Sequence, residues 1–292
     1  MDVQETKIAF IGTGVMGASV VKHLLNASFE VTVYTRTKER AQAVIEAGAT
    51  WAATVGAAVA NADVVFTMVG YPSDVEEVYF GEGGIFASGK EGQTVIDMTT
   101  SSPALAKRIA ERAMELNMSA LDAPVSGGDI GAQNGTLSIM CGGTEEQFTN
   151  MLPILSMFGK QIVYQGAAGA GQHTKMCNQI IIATSMIGVC ESLAYAEKAG
   201  LDPNIVLQSI ASGAAGSWTL SNLAPRMLAG DFEPGFYVKH FLKDMNIALE
   251  EAKAMNLELP GLELAQQMYD KLVQSGFEDK GTQVLYQQYT QK

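Results

Sequence analysis

Lys7-Ile8-Ala9-Phe10-Ile11-Gly12-Thr13-Gly14-Val15-Met16-Gly17 decides the fold of the N-terminal half. Its first five residues are a short apolar run suited to a buried strand, and Ala18 to Ala27 follow a helical pattern. A Gly-x-Gly-x-x-Gly loop alone carries little weight. Between a strand and a helix, at the head of a βαβ unit, it is informative. Gly12 permits the tight turn, Gly14 lets a diphosphate approach the backbone, and Gly17 lets the helix pack closely on the sheet. With Thr13, Val15 and Met16 filling the loop, the helix N-terminus offers N–H groups and a positive dipole end to phosphate. A glycine turn without a ligand is the competing reading.

Working outward, Glu30-Val31-Thr32-Val33-Tyr34 is a second strand. A site for NAD places a carboxylate about 20 residues after the glycines, to accept from the ribose 2′-OH. Here Thr35, Arg36 and Thr37 occupy that place, and an arginine flanked by hydroxyls suits a 2′-phosphate. The expected cofactor is NADP, with NAD possible. Thr37 also reads as the N-cap of a helix from Lys38 to Ala47, closed by Gly48.

Val64 to Val69, Thr94 to Asp97, Ser119 to Asp122, Leu137 to Cys141 and Gln161 to Tyr164 complete the strand-like segments. Loops leaving the carboxyl ends of such strands form the ligand crevice, so the loop from Met68 and Val69 to Asp74 and the loop from Asp97 to Ser102 are both expected at the cofactor. Ser73-Asp74-Val75-Glu76 reads as a capping-box helix start, and Ser102-Pro103 as N-cap and first helical residue. Ser126-Gly127-Gly128 has two readings: an anion-binding loop of exposed backbone N–H groups, or a flexible connection.

Beyond Gly171 the period is helical, over Gln172 to Ala199, Pro203 to Ala211, Ser221 to Leu228, Phe241 to Met255, Leu262 to Gln274 and Thr282 to Tyr289. The change of period predicts a Rossmann-like doubly wound α/β domain over 1–165 and an all-α substrate-binding and oligomerisation domain over 166–292. A long interdomain helix of ~40 Å would join them. Lys175, Asn178 and Gln179 fall at i, i+3 and i+4, on one face of that helix. A lysine in a half-buried cleft can lose its proton near neutrality, and amides can donate to substrate oxygens, so Lys175 is a candidate for proton transfer and Asn178 and Gln179 for substrate binding. A lysine snorkelling from a helix end is the alternative. Lys239 and Lys243 are likewise i, i+4 beside Phe236. Either they meet a substrate carboxylate and the cofactor, or they are solvated surface cations. Trp218, next to the glycine-rich Gly213 to Gly216, is expected to close the pocket.

Composition bounds the remainder. A formal charge of −12 argues against nucleic acid as a main partner, while leaving room for a small anionic ligand. Cys141, Cys177 and Cys190 are too widely spaced for a disulfide framework or a zinc site, and His23, His173 and His240 have no ligand spacing, so no metal is expected. Met1 to Thr6 lack the basic and apolar regions of a signal peptide, and the apolar run Ile180 to Leu193 is interrupted by Thr184, Ser185 and Glu191. The expectation is a cytoplasmic protein with no membrane partner.

Taken with their order and spacing, these motifs resemble the β-hydroxyacid dehydrogenase family over essentially the whole chain. The glycine loop matches Gly12 to Gly17, the substrate motif matches Asp122 to Gly128, and the aspartate-x-serine/threonine-threonine segment matches Asp97 to Thr100, which implies Thr100 as a cofactor contact. The family's catalytic glycine-x-x-x-lysine-x-x-asparagine matches Gly171, Lys175 and Asn178, and its lysine-aspartate pair matches Lys243-Asp244. The resemblance implies hydride transfer between NAD(P) and a small carboxylate-bearing semialdehyde or 3-hydroxy acid. It also implies Lys175 as general acid and a homodimer or homotetramer. Imine reductases of similar fold usually lack this lysine, which points to a carbonyl substrate. Two other readings stand beside it. One is an oxidative decarboxylase resembling 6-phosphogluconate dehydrogenase, disfavoured by the short helical half. The other is a catalytically idle dinucleotide sensor or scaffold, which could dispense with Lys175 and Asn178.

Overall fold

A computed structural model describes residues 5–290 of the chain; Met1 to Gln4, the head of the polar stretch read above, lie outside the described residues. Among the described residues nine strands form one sheet: β1 (Lys7–Ile11), β2 (Glu30–Tyr34), β3 (Thr50–Trp51), β4 (Val64–Thr67), β5 (Thr94–Asp97), β6 (Ser119–Asp122), β7 (Val125–Ser126), β8 (Leu137–Gly142) and β9 (Gly159–Gly166). The run β3-β2-β1-β4-β5-β6 is parallel throughout; β8 is antiparallel to β6 and β7 and parallel to β9. The winding reverses between β1 and β4, which opens a crevice at the carboxyl ends of these neighbours.

Side-chain alternation places a core on each face of the sheet. Ile8 and Phe10 join Val20, Val21 and Leu24 of the helix Val15–Asn26, while Ala9 and Ile11 join Val75, Tyr79, Leu105 and Ile109 on the opposite side. β4 and β5 are buried at every position, as parallel strands covered on both faces must be. Phe10 stacks on Phe66 at 5.9 Å. Burying either ring contributes roughly 1.5–3 kcal/mol.

Several local expectations are corrected. β3 and β7 have two residues each, too few to show a period, and the strand beginning at Val64 ends at Thr67. The helix expected over Lys38 to Ala47 is a 3₁₀ turn, Lys38–Ala41, followed by a short α-helix, Gln42–Glu46, and Thr37 makes no side-chain cap bond. The helix after β4 is Pro72–Phe80, so its start lies at Pro72 rather than after Ser73, with the proline's fixed φ in the first turn. Pro225 splits the segment expected over Ser221 to Leu228 into Trp218–Asn222 and Ala224–Leu228, because a proline has no N–H to continue the ladder. Thr282–Tyr286 is a 3₁₀ helix ahead of the short helix Gln287–Thr290.

The chain divides into two compact units between Lys175 and Met176, inside the helix Ala170–Lys198. In the second unit Met176, Ala183, Met186, Cys190 and Leu193 pack with Phe241 and Met245 of the helix Val238–Ala254 and with Leu262, Tyr269 and Leu272 of the helix Pro260–Gln274. The Tyr269 hydroxyl satisfies itself by donating to the Thr282 carbonyl at 2.8 Å. By length and composition alone Ala170–Lys198, which contains the apolar run Ile180 to Leu193, is long and apolar enough to cross a bilayer. Ala183, Met186, Cys190 and Leu193 nonetheless lie buried in the core of the second unit.

Candidate active site

The glycine loop is shaped partly by the protein and partly for something else. Gly12 adopts φ +103°, donates its N–H to the Tyr34 carbonyl at 2.8 Å, and a Cβ there would collide with the Met68 carbonyl oxygen. A Cβ at Gly17 would strike the Gly12 carbonyl. Packing therefore accounts for both. It does not account for Gly14, whose conformation is ordinary and around whose Cβ nothing among the described residues comes within 4 Å. Gly14 leaves open space where the helix Val15–Asn26 begins. That helix start has no side-chain cap and no acidic residue in its first turn, and buried Thr13 carries a hydroxyl with no hydrogen-bond partner among the described residues. Val15 is exposed and Met16 half-buried against the core. These residues fit a bound diphosphate, whose oxygens would take up the N–H groups and whose bulk needs the missing side chain.

Loops at the ends of β2, β4 and β5 flank this point. Thr35 is half-buried and Arg36 and Thr37 are exposed. Arg36 Nη1 lies 3.2 Å from Asp74 Oδ1, and Asp74 Oδ2 accepts the Tyr71 N–H at 3.0 Å. Met68 and Val69 are half-buried, and the Val69 N–H donates to Thr99 Oγ1 at 3.0 Å. Thr99 is held in turn by its own N–H, which donates to Asp97 Oδ1 at 3.0 Å, with Thr100 half-buried beside it.

The start of the long helix is fixed by side chains that local spacing did not single out. Asp122, closing β6, accepts the Gly169 N–H on Oδ1 at 2.7 Å and the Gln172 N–H on Oδ2 at 2.9 Å, a remote N-cap. Burial pushes its carboxyl above the ordinary range, and those two N–H groups oppose the shift. A Cβ at Gly171 would collide with the Met140 carbonyl and come within 2.8 Å of Asp122, so only glycine lets the helix approach this closely. The Gln172 side chain is fully buried. Its amide donates to the Thr99 carbonyl at 2.8 Å and its oxygen accepts the Ser101 N–H at 3.0 Å. One turn on, Lys175 is 7% exposed and its Nζ donates to the Val125 carbonyl at 2.8 Å. Val125 and Ser126 form β7, paired with Ile139 and Ser138, and the chain then turns through Gly127 at φ +125° into Gly128. The first unit thus brings Lys175 against the Ser126-Gly127-Gly128 loop and ties its helix to the loop after β5.

In the second unit Asn178 Nδ2 donates to Gln179 Oε1 at 2.7 Å, and Gln179 Nε2 donates to Asp244 Oδ2 at 2.5 Å. Gln179 is 1% exposed with both amide atoms engaged, a buried link between Asn178 and Asp244. Lys243 Nζ lies 3.0 Å from Asp244 Oδ1. Burial, reinforced by Lys243 and Lys239, holds the intervening His240 below its ordinary range. Lys239 is paired with Asp279 at 2.5 Å and sits over the Tyr237 ring. Phe236 packs edge-on to Phe241 at 5.7 Å. Trp218 is exposed as the first residue of its short helix, whose N-cap is Ser217. Among the described residues no group of three or more His, Cys, Asp or Glu side chains is placed to hold a metal ion.

A mostly parallel sheet with an open glycine loop, followed by a helical unit, defines a dinucleotide-binding oxidoreductase class. Residues 7–166 match the family described as the NAD binding domain of 6-phosphogluconate dehydrogenase, and residues 169–289 that described as NAD-binding of NADP-dependent 3-hydroxyisobutyrate dehydrogenase. The oxidoreductase YkwC of Bacillus subtilis is 64% identical, over 96% of this chain and 97% of its own length. The 2-hydroxy-3-oxopropionate reductase of Escherichia coli is 40% identical, over 92% of each chain. A solved structure of Mycobacterium tuberculosis 3-hydroxyisobutyrate dehydrogenase with L-serine superposes with a TM-score of 0.89 at 30% identity, over 97% of this chain and 98% of that one. The chain belongs to the β-hydroxyacid dehydrogenase family and is an NAD(P)-binding hydroxyacid dehydrogenase.

Proposed function

We propose that the protein interconverts a small carboxylate-bearing semialdehyde and its 3-hydroxy acid, using NADP(H) in preference to NAD(H), with Lys175 as the proton-transfer group. The observation that carries this reading is the placement of Lys175: a buried ammonium donating to the Val125 carbonyl, one residue from Ser126. When bound, the nicotinamide supplies or accepts the hydride. The rest falls to the chain. Lys175 gives a proton to the carbonyl oxygen in reduction and takes it back in oxidation, and its burial limits competition from water. Ser126 and the N–H groups of Gly127 and Gly128 hold the substrate carboxylate, and Asn178, one turn beyond Lys175 on the same helix, orients the reacting oxygen.

The test is consumption of NADPH with glyoxylate, succinic semialdehyde, methylmalonate semialdehyde and tartronate semialdehyde, and the reverse reaction with 3-hydroxyisobutyrate. Turnover of at least one is expected. A folded protein that binds the cofactor and turns over none would instead be the idle sensor. For the cofactor, Arg36→Ala is expected to weaken NADPH by about 1.5–3 kcal/mol more than NADH, the worth of a hydrogen bond to a charged group. Equilibrium titration of both cofactors measures this, and equal losses would reject the 2′-phosphate reading.

A further inference from the structure

A site built around Arg36 alone would face a 2′-phosphate with an uncompensated cation. The structure shows something different. Asp74, in the first turn of the helix that follows β4, lies 3.2 Å from the guanidinium. Its placement is independent of that pair, because its other oxygen accepts the Tyr71 N–H at 3.0 Å in the first turn of the helix Pro72–Phe80. The carboxylate is therefore anchored by backbone, whereas the Arg36 side chain is 76% exposed and held only at its tip. The second strand ends without the acidic residue that would accept from a ribose 2′-OH. The fold returns a carboxylate to the Arg36 guanidinium from the helix that follows β4.

We propose that Asp74 is a specificity-determining residue that restrains the preference for NADP(H) and keeps NAD(H) usable. The proposal rests on the reading of Arg36 as the 2′-phosphate partner. A 2′-phosphate drawn to Arg36 must share the guanidinium with an anchored carboxylate, and like charges at that range repel. A 2′-hydroxyl meets no such repulsion and finds an acceptor. An ion pair whose arginine is this exposed contributes little to folding, so removing it should change selectivity without unfolding the protein.

The test is Asp74→Asn, which keeps an acceptor for the Tyr71 N–H, titrated with NADP+ and NAD+ by calorimetry at low ionic strength alongside wild type and Arg36→Ala. Thermal melting of each variant checks the fold. The expected result is a fivefold to tenfold shift of the Kd ratio towards NADP+, on the order of the effect of one nearby charge at a surface site. The shift should shrink when salt is raised, as for any exposed charge. A ratio that stays within about twofold of wild type, or moves towards NAD+, overturns the proposal. If Arg36→Ala shifts the ratio in the same series, the 2′-phosphate reading survives that failure; if it too leaves the ratio unchanged, both fall.

Discussion

Lys175→Ala is expected to lower kcat by about 10²- to 10⁴-fold, the range for loss of a positioned proton donor, while the Kd for NADPH changes little. The reason lies in where the side chain sits. Lys175 is the last residue of the first unit, on a turn already fixed by Asp122 and Gln172, and its Nζ reaches the Val125 carbonyl beside the proposed carboxylate loop. Removing it leaves that buried carbonyl without this donor, at a cost of about 1–3 kcal/mol, so Lys175→Met, which keeps the apolar stem, is the companion variant. Both should show the same loss of kcat if proton transfer is the role. The pH dependence of kcat/KM should lose one limb, and added small amines should restore part of the rate. A variant retaining more than a tenth of wild-type turnover would remove Lys175 from the mechanism.

Asp122→Asn should have the second largest effect, and on two readouts. The carboxylate accepts two N–H groups at the head of the long helix, and an amide can accept only one while presenting its NH₂ to the other. A buried donor facing a donor costs about 1–3 kcal/mol, so the melting temperature should fall. The helix start would also loosen, and Lys175 sits within its first turns. An error of an ångström in a proton donor can reduce rate by roughly 10²-fold, so kcat should fall well beyond what the loss of stability explains at a temperature where the variant is folded. A lower melting temperature with unchanged kcat would make Asp122 a purely structural cap.

What the sequence reveals and what it hides follow from distance along the chain. The glycine loop, the second strand and the Ser102-Pro103 cap are local patterns, and each lies in the structure where spacing puts it. Asp122, Gln172 and Asp74 act on partners that local spacing cannot find: Gly169 and Gln172 are 47 and 50 residues from Asp122, Thr99 is 73 from Gln172, and Arg36 is 38 from Asp74. Gln179 shows the limit of helical periodicity. The i+4 rule places it correctly beside Lys175 and Asn178, but Asp244, on another helix, draws its amide inward. β7 is two residues of a motif that reads as loop, and only its pairing with β8 makes it a strand.

The remote cap on the long helix also determines where this polypeptide can be cut. A fragment ending at Gly166, the last residue of β9, would contain the whole sheet and look like a complete nucleotide-binding module. It would lack the Gly169 and Gln172 N–H groups, stranding a buried carboxylate at the end of β6, and it would lose the amide that fastens the loop after β5. Extending the fragment through Lys175 restores these bonds, together with that from the Ser101 N–H to the Gln172 oxygen, and takes in every residue of the first unit. The first compact unit therefore ends part-way along a helix, past the sheet that Gly166 appears to complete.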